Sequence, residues 1–376
     1  MFYLALTQAS ARGMFRQERT QDHPEKAVDV TAALAKEGLR YVSDTSRGYK
    51  RKRTGTSFTY HDRNGKRITD PNVVKRIKAI GIPPAYDSVW ICPAPNGHIQ
   101  ATGLDARGRK QYRYHPKWRE LRDQTKYERI LHFAAKLPTL RRRIATDMRR
   151  EALPRQKVIA TVACLLDRTL IRVGNSEYAA TNKSFGLTTL RRRHVAIENG
   201  ALRFEFTGKS GKRWNLLVSD KRIISVVKRC VEIPGHDLFK YINDNGSVCT
   251  ISSGDVNGYI KAAMEDDFTA KDFRTWAGTV LAASALAKCD IESTPARMKR
   301  NVTAAIGAVA RQLGNTPAIC RKCYVHPEIL DAYATGDLVR MFSRQPGARF
   351  KRRYTRLSIN EIRVLAFLEK RLTPAR

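Results

Sequence analysis

The stretch Arg193–Ser219, RHVAIENGALRFEFTGKSGKRWNLLVS, constrains the fold more than any other part of the chain. Asn199-Gly200 sits between two runs that alternate apolar and polar residues, the strongest short-range hairpin signal, because a tight hairpin turn needs residues that tolerate positive φ. GKSGKR then turns the chain again into WNLLVS. The segments around this meander read differently. KVIATVACLLDRTL before it, and ISVVKRCVEI, DVNGYIKAAM, RTWAGTVLAASALA and TAAIGAVARQLG after it, carry their apolar residues at helical spacing. The expectation is a three-stranded antiparallel sheet set inside a mainly helical domain.

The N-terminal third looks unlike this. LRYVS, TSFTYHD and VWICPAP are short, aromatic and β-branched, as strands tend to be, and NGKRITD supplies a turn. DPNVVKRIKAIG reads as a short helix, and GHIQATGLDARGRKQYRYHP as a Gly-rich turn followed by a basic, aromatic strand edge. The fold class is therefore α+β. Its expected parts are a variable leader over 1–28, a β-rich domain over 29–115 and a mainly helical domain over 116–376 with a basic segment, Arg344 to Arg353, before a last helix at RVLAFLEKRL. WRELRDQTKYERILHFAAKL should be a helix that Pro138 interrupts, and Pro154 should sit in the first turn of the next. MFYLALTQA has no basic residue before its apolar patch, so it does not read as a secretory signal.

Charge narrows the function classes. Lys and Arg number 70 against 35 Asp and Glu, a net charge of +35 spread along the whole chain. Such a field draws polyanions and speeds their arrival. Its even spread suits a protein wrapped around a long polyanion, with nucleic acid favoured over an acidic membrane. No apolar run is long enough to cross a bilayer. Seven scattered cysteines, an odd number, suit reduced thiols in a cytosol. No internal repeat, Walker motif or dinucleotide glycine motif is present.

GNTPAICRKCYVHP, from Gly314 to Pro327, offers three chemistries. Cys320-x-x-Cys323 with His326 could ligate a metal, but a structural zinc site ordinarily takes four ligands in two spaced pairs, and one pair stands here. A redox pair would want a βαβ setting that is absent; the bland alternative is that both thiols are packing residues. The third candidate is the phenol of Tyr324. With a pKa of about 10 it needs help to act at neutral pH. If it attacked a phosphodiester, charge would build on the non-bridging oxygens, where guanidinium groups suit best. A general acid would then be wanted for the departing oxygen.

Five blocks in order resemble one family. GIPPAYDSVWICPAPNGHIQATGLDARGRKQYRYHPKW, LIRVGNSEYA with SFGLTTLRRRHV, FTGKSGKRW, KDFRTWAGT and GNTPAICRKCYVHP are similar to the type IB DNA topoisomerases, above all the compact bacterial and poxviral members. The likeness spans residues from about 38 to about 335. It implies Tyr324 as a nucleophile that becomes joined to a 3′-phosphate, Arg172 and Arg274 as the two catalytic arginines, and Lys209 as the general acid. Asn315 stands where many relatives carry His; its amide can still donate to a phosphate oxygen but carries no charge. The resemblance further implies a clamp of two domains around duplex DNA, no required cofactor (divalent cations at most stimulate) and no ATP. One chain holds a complete set, so a monomer is expected, in the bacterial cytoplasm at the nucleoid. Arg109, Lys110, Gln111, Tyr112 and Tyr114 mix cations, an amide and rings on one strand, a combination that can grip phosphates and touch base edges. The alternative is that the two tyrosines pack in the sheet and the charges face water. The rival functions are a tyrosine recombinase, which usually shows His-x-x-Arg where this chain has Lys271-Asp272-Phe273-Arg274, and a non-catalytic architectural DNA binder.

Overall fold

The computed structural model describes residues 31–32, 34–106, 108–290 and 294–372, and the leader expected over 1–28 lies outside them. The chain divides into two compact units, residues 1–124 and 125–376.

Unit 1 is built on a five-stranded antiparallel sheet. Its strands are β1 (Tyr49–Thr54), β2 (Ser57–His61), β3 (Asp87–Ile91), β4 (Ile99–Leu104) and β5 (Lys110–Tyr114), in the order β2-β1-β3-β4-β5. Helix α1 (Pro71–Ala79) starts on Pro71, with the Asp70 carboxylate accepting from Asn72 N at 2.8 Å. Its Ile77 is buried with Val89, Ile91 and Ala101 in the core of this unit. One detail differs from the sequence expectation, and one strand was not expected at all. LRYVS is no strand and contributes one isolated bridge, Arg40 to Gly97. YKRKRT, which looks too charged, forms β1 in the interior of the sheet. Arg51 explains how: its guanidinium donates to the carbonyls of Ile82, Pro83 and Tyr86 and lies 4.2 Å over the Phe58 ring.

The boundary at 124/125 falls within α2 (Pro116–Asp147), a helix of 32 residues. Pro138 does not interrupt it. The helix loses one backbone hydrogen bond there, but Leu137, Leu140 and Ile144 are buried on one face and hold the next turns against the core of unit 2. Helix α3 (Arg155–Thr169) follows Pro154 and is buried along most of its length, from Val158 to Leu166. After α4 (Ser176–Asn182) comes the expected meander: β6 (Val195–Glu198), β7 (Ala201–Thr207) and β8 (Arg213–Val218). Asn199 and Gly200 both take positive φ, 47° and 76°, which pairs Glu198 with Ala201. That register turns Leu202, Phe204 and Phe206 toward the core.

The rest of unit 2 is helical apart from a small hairpin. The elements are α5 (Lys221–Glu232), β9 (Lys240–Ile242), β10 (Val248–Thr250), α6 (Ser253–Met264), α7 (Ala270–Leu286), α8 (Pro295–Leu313), α9 (Pro317–Cys323), α10 (Pro327–Ala334), α11 (Asp337–Phe342), α12 (Ala348–Arg353) and α13 (Ile359–Leu372). Prolines open α8, α9 and α10, where a missing N–H costs nothing. A buried polar knot ties four helices. Glu361 of α13 accepts from both terminal nitrogens of Arg141 at 2.9 Å and from Trp276 Nε1 at 3.1 Å, while Arg141 also pairs with Asp167. Together these groups push the Arg141 pKa up, against the effect of burial. Among the described residues no helix is long and apolar enough to cross a membrane.

Candidate active site

Five sequence-predicted residues come together in unit 2, each delivered by a different local device. Arg172 leaves α3 just after Leu170, whose left-handed conformation (φ 58°) ends that helix. Its strand of chain crosses Gly186 so closely that a Cβ there would meet Arg172 O and Gly174 Cα, each at 2.6 Å. Only glycine permits that crossing, and the Leu187 N–H to Arg172 O bond of 2.9 Å locks it. Lys209 stands at the tip between β7 and β8, in a 3₁₀ turn Lys209–Gly211 where Ser210 takes φ 62°. Its ammonium lies 5.8 Å from the centroid of the Tyr178 ring. Arg274 sits in the second turn of α7, whose start is capped by Thr269 and Asp272.

Arg274 is 3 % exposed. Its guanidinium donates to Leu170 O and, at 2.6 Å, to Leu313 O, the ends of α3 and α8. Helix-terminal carbonyls lack intrahelical partners, so they suit a buried cation. Burial, and then Arg172, draw its pKa below the ordinary guanidinium value, while Tyr324 pushes it up. A guanidinium stays protonated regardless. Asn315 follows Gly314, which caps α8 at φ 58°. Its Oδ1 accepts from Arg172 Nη2 at 3.1 Å, and its Nδ2 is buried with no hydrogen-bond partner. Tyr324 caps the C-terminal end of α9, one residue past Cys323, half-buried, with its ring 5.2 Å from the Arg274 guanidinium carbon.

Arg172, Lys209, Arg274 and Tyr324 line one cavity of about 370 Å³. Asn315 joins it through Arg172. Among the described residues no carboxylate pairs with any of the three cations. Such a cavity is built for an anion, with donors fixed before it arrives. Two further lining residues, Tyr178 and Lys271, were not singled out from the sequence, although both fall inside the quoted blocks.

Cys320 and His326 beside Tyr324 do other things. Cys320 is fully buried among Leu170, Leu313 and Val325, and burial pushes its thiol pKa up. His326 uses Nδ1 to accept from Glu328 N at 3.1 Å, capping α10. Burial, with Lys126 nearby, lowers its pKa to about 4. Among the described residues no group of three or more His, Cys, Asp or Glu is placed to hold a metal ion.

In unit 1, β5 and the residue before it, Arg109, carry the other predicted residues, and three of them already have carboxylate partners. Arg109 Nε donates to Asp105 Oδ2 at 2.8 Å, Gln111 Nε2 to the same oxygen at 3.0 Å, and Lys110 Nζ pairs with Asp44 at 2.6 Å. That last contact raises the Lys110 pKa. Tyr112 and Tyr114 stack with ring centroids 5.8 Å apart, and Tyr112 is 43 % exposed. The rings thus form a two-tyrosine shelf rather than core.

Comparison with known proteins bears directly on this geometry. Residues 115–338, more than half of the chain and including all five cavity residues, match the family described as "Eukaryotic DNA topoisomerase I, catalytic core". The DNA topoisomerase 1B of Acanthamoeba polyphaga mimivirus is 32 % identical over 293 residues, 76 % of this chain and 87 % of that protein. The chain belongs to the type IB DNA topoisomerases. It is a topoisomerase I, an isomerase whose substrate is DNA. Residues 57–105 match "Bacterial DNA topoisomerase IB, N-terminal domain". The two matched spans leave out 106–114, so the Tyr112–Tyr114 shelf of this topoisomerase lies between them.

Proposed function

We propose that the enzyme relaxes supercoiled duplex DNA through a 3′-phosphotyrosyl intermediate, and that Tyr324 is its nucleophile. The Tyr324 phenol gives its proton to water as its oxygen attacks a backbone phosphorus, a new P–O bond forms, and the bond to the 5′-oxygen of the next sugar breaks; on resealing the departing phenolate takes a proton back from water. Arg172, Arg274 and the Asn315 amide neutralise and hold the non-bridging oxygens of the pentacoordinate phosphate. Lys209 gives its proton to the departing 5′-oxygen. Stored torsion then swivels the free end, and the 5′-hydroxyl returns its proton to Lys209 as it attacks the phosphotyrosine. The covalent link conserves the phosphodiester energy, so neither ATP nor another cofactor enters. Arg109, Lys110, Gln111 and the Tyr112–Tyr114 shelf contact duplex DNA from unit 1, and one chain acts alone, on nucleoid DNA of a bacterial cytoplasm.

The observation that carries this reading is the shared cavity: a phenol and three cations converge there, and the cations have carbonyls, an amide oxygen and a ring as neighbours instead of carboxylates. The test is relaxation of a negatively supercoiled plasmid in EDTA without nucleotide, quenched with denaturant to trap protein-linked DNA. Wild type should relax the plasmid and yield protein on the 3′ end. Tyr324→Phe should bind DNA with nearly unchanged affinity and do neither. Relaxation or adduct formation by that variant removes Tyr324 from the role.

A further inference from the structure

Helix α9 is seven residues long and ends at Cys323, while α10 opens on Pro327, which has no N–H to offer. The carbonyls at this junction therefore need partners from elsewhere. Three of them, Lys322, Cys323 and Val325, find them in side chains. The Tyr127 hydroxyl lies 3.1 Å from Lys322 O and 2.9 Å from Val325 O, sharing its proton between them. The Lys126 ammonium donates to Cys323 O. The Thr279 hydroxyl donates to Thr275 O at 2.9 Å, accepts from His326 N at 3.1 Å and lies 3.3 Å from Tyr324 O. The segment around Tyr324 is thus held by its backbone from two helices. On one side is α7, which also carries Arg274 and offers Gly278, where a Cβ would come within 2.5 Å of Tyr324 O. On the other is α2, nearly 200 residues away in sequence.

Tyr127 is buried, its ring lies 4.8 Å from that of His326, and Lys126 Nζ sits 4.6 Å from its centroid. A ring buried only for packing would not need a hydroxyl aimed at two carbonyls that flank the reactive residue.

We propose that Tyr127 and Lys126 are positioning residues for the Tyr324 phenol, holding the backbone from which it reaches the phosphorus. This rests on Tyr324 being the nucleophile. The phenol oxygen is carried on a stiff side chain, so a backbone shift moves it by a similar distance. An error of about 1 Å in such an attack slows it by about 10²-fold.

Tyr127→Phe removes the hydroxyl and keeps the ring, and Lys126→Met removes the charge and keeps the stem. Single-turnover cleavage and resealing of a nicked-release duplex are measured at saturating enzyme, well below the melting temperature, together with the DNA Kd. Each variant should slow cleavage and resealing alike, by about 10- to 10²-fold, because both pass through one transition state. The Kd should hold, and Lys126→Arg should recover most of the rate. A purely structural role would lower the melting temperature and leave both rates at wild-type values, which overturns the proposal. Should Tyr127→Phe fail to fold, the Lys126→Met and Lys126→Arg pair decides alone. Tyr324→Phe runs alongside. If it is inert while the α2 variants are wild type, only the positioning role fails; if it still forms adduct, the nucleophile assignment beneath it fails.

Discussion

Two cationic regions of this topoisomerase solve opposite problems. On β5 and just before it, Arg109 and Gln111 share Asp105 and Lys110 pairs with Asp44, so these three groups meet carboxylates within the protein. In the cavity, Arg172 rests on an amide oxygen, Arg274 on two helix-end carbonyls and Lys209 over a ring. Neutral acceptors orient a cation without cancelling it. The cavity keeps its full positive charge, and burial, followed by mutual repulsion with Arg172, draws the Arg274 pKa down. Under the proposed mechanism a phosphate would relieve that repulsion, and a transition state with an extra negative charge would relieve it further. The strand, with its counter-ions in place, can exchange carboxylate for phosphate at little net gain. That suits grip, which must be reversible, better than catalysis.

The comparison breaks most visibly at Lys209. Lys209→Ala should slow single-turnover cleavage by about 10²- to 10⁴-fold, the usual worth of a positioned acid. A duplex whose scissile 5′-oxygen is replaced by sulfur should recover most of that loss, since a thiolate departs without a proton. No recovery would make Lys209 a charge in the cavity and not its acid.

A smaller effect comes from giving the cavity what the strand has. Asn315→Asp places a carboxylate where Oδ1 now accepts from Arg172 at 3.1 Å. Cleavage should fall by about 10²-fold, further than in Asn315→Ala, which loses the amide donor but adds no charge. Equal rates in the two variants would show that counter-charge at this place does not matter.

The smallest effect is the reverse exchange. Asp44→Asn frees Lys110 from the contact that raises its pKa. DNA binding should tighten by a few-fold at low salt, and the log-log salt slope should steepen by about 0.9, one more phosphate neutralised. Single-turnover cleavage at saturation should stay unchanged. An unaltered slope would place Lys110 off the DNA.

Much of the fold was legible because its signals are local. Asn199-Gly200 demands positive φ, and the alternation on either side pairs Glu198 with Ala201. Pro154, Pro295, Pro317 and Pro327 mark helix starts that need no tertiary help. The misreading at Pro138 and the strand passed over at YKRKRT lie where distant contacts override local preference. Pro138 stays inside α2 because the core grips the turns beyond it, and YKRKRT becomes a strand because carbonyls of the 82–86 loop receive Arg51. The candidate site was legible as a set of residue types in ordered blocks. Its partners were not: nothing near Lys110 announces Asp44, and nothing in KYERIL announces that Tyr127 meets the carbonyls beside Tyr324.

By itself the sequence determined which backbone turns are possible, where helices begin and how strongly the chain attracts polyanions, since these follow from φ, a missing N–H and summed charge. Tertiary packing alone decided that Arg172, Lys209, Arg274 and Tyr324 share one cavity and that, among the described residues, no carboxylate pairs with its cations. The reason is physical: a side chain's potential and hydrogen-bond partners depend on atoms within a few ångströms, and here those atoms come from segments as much as 150 residues apart.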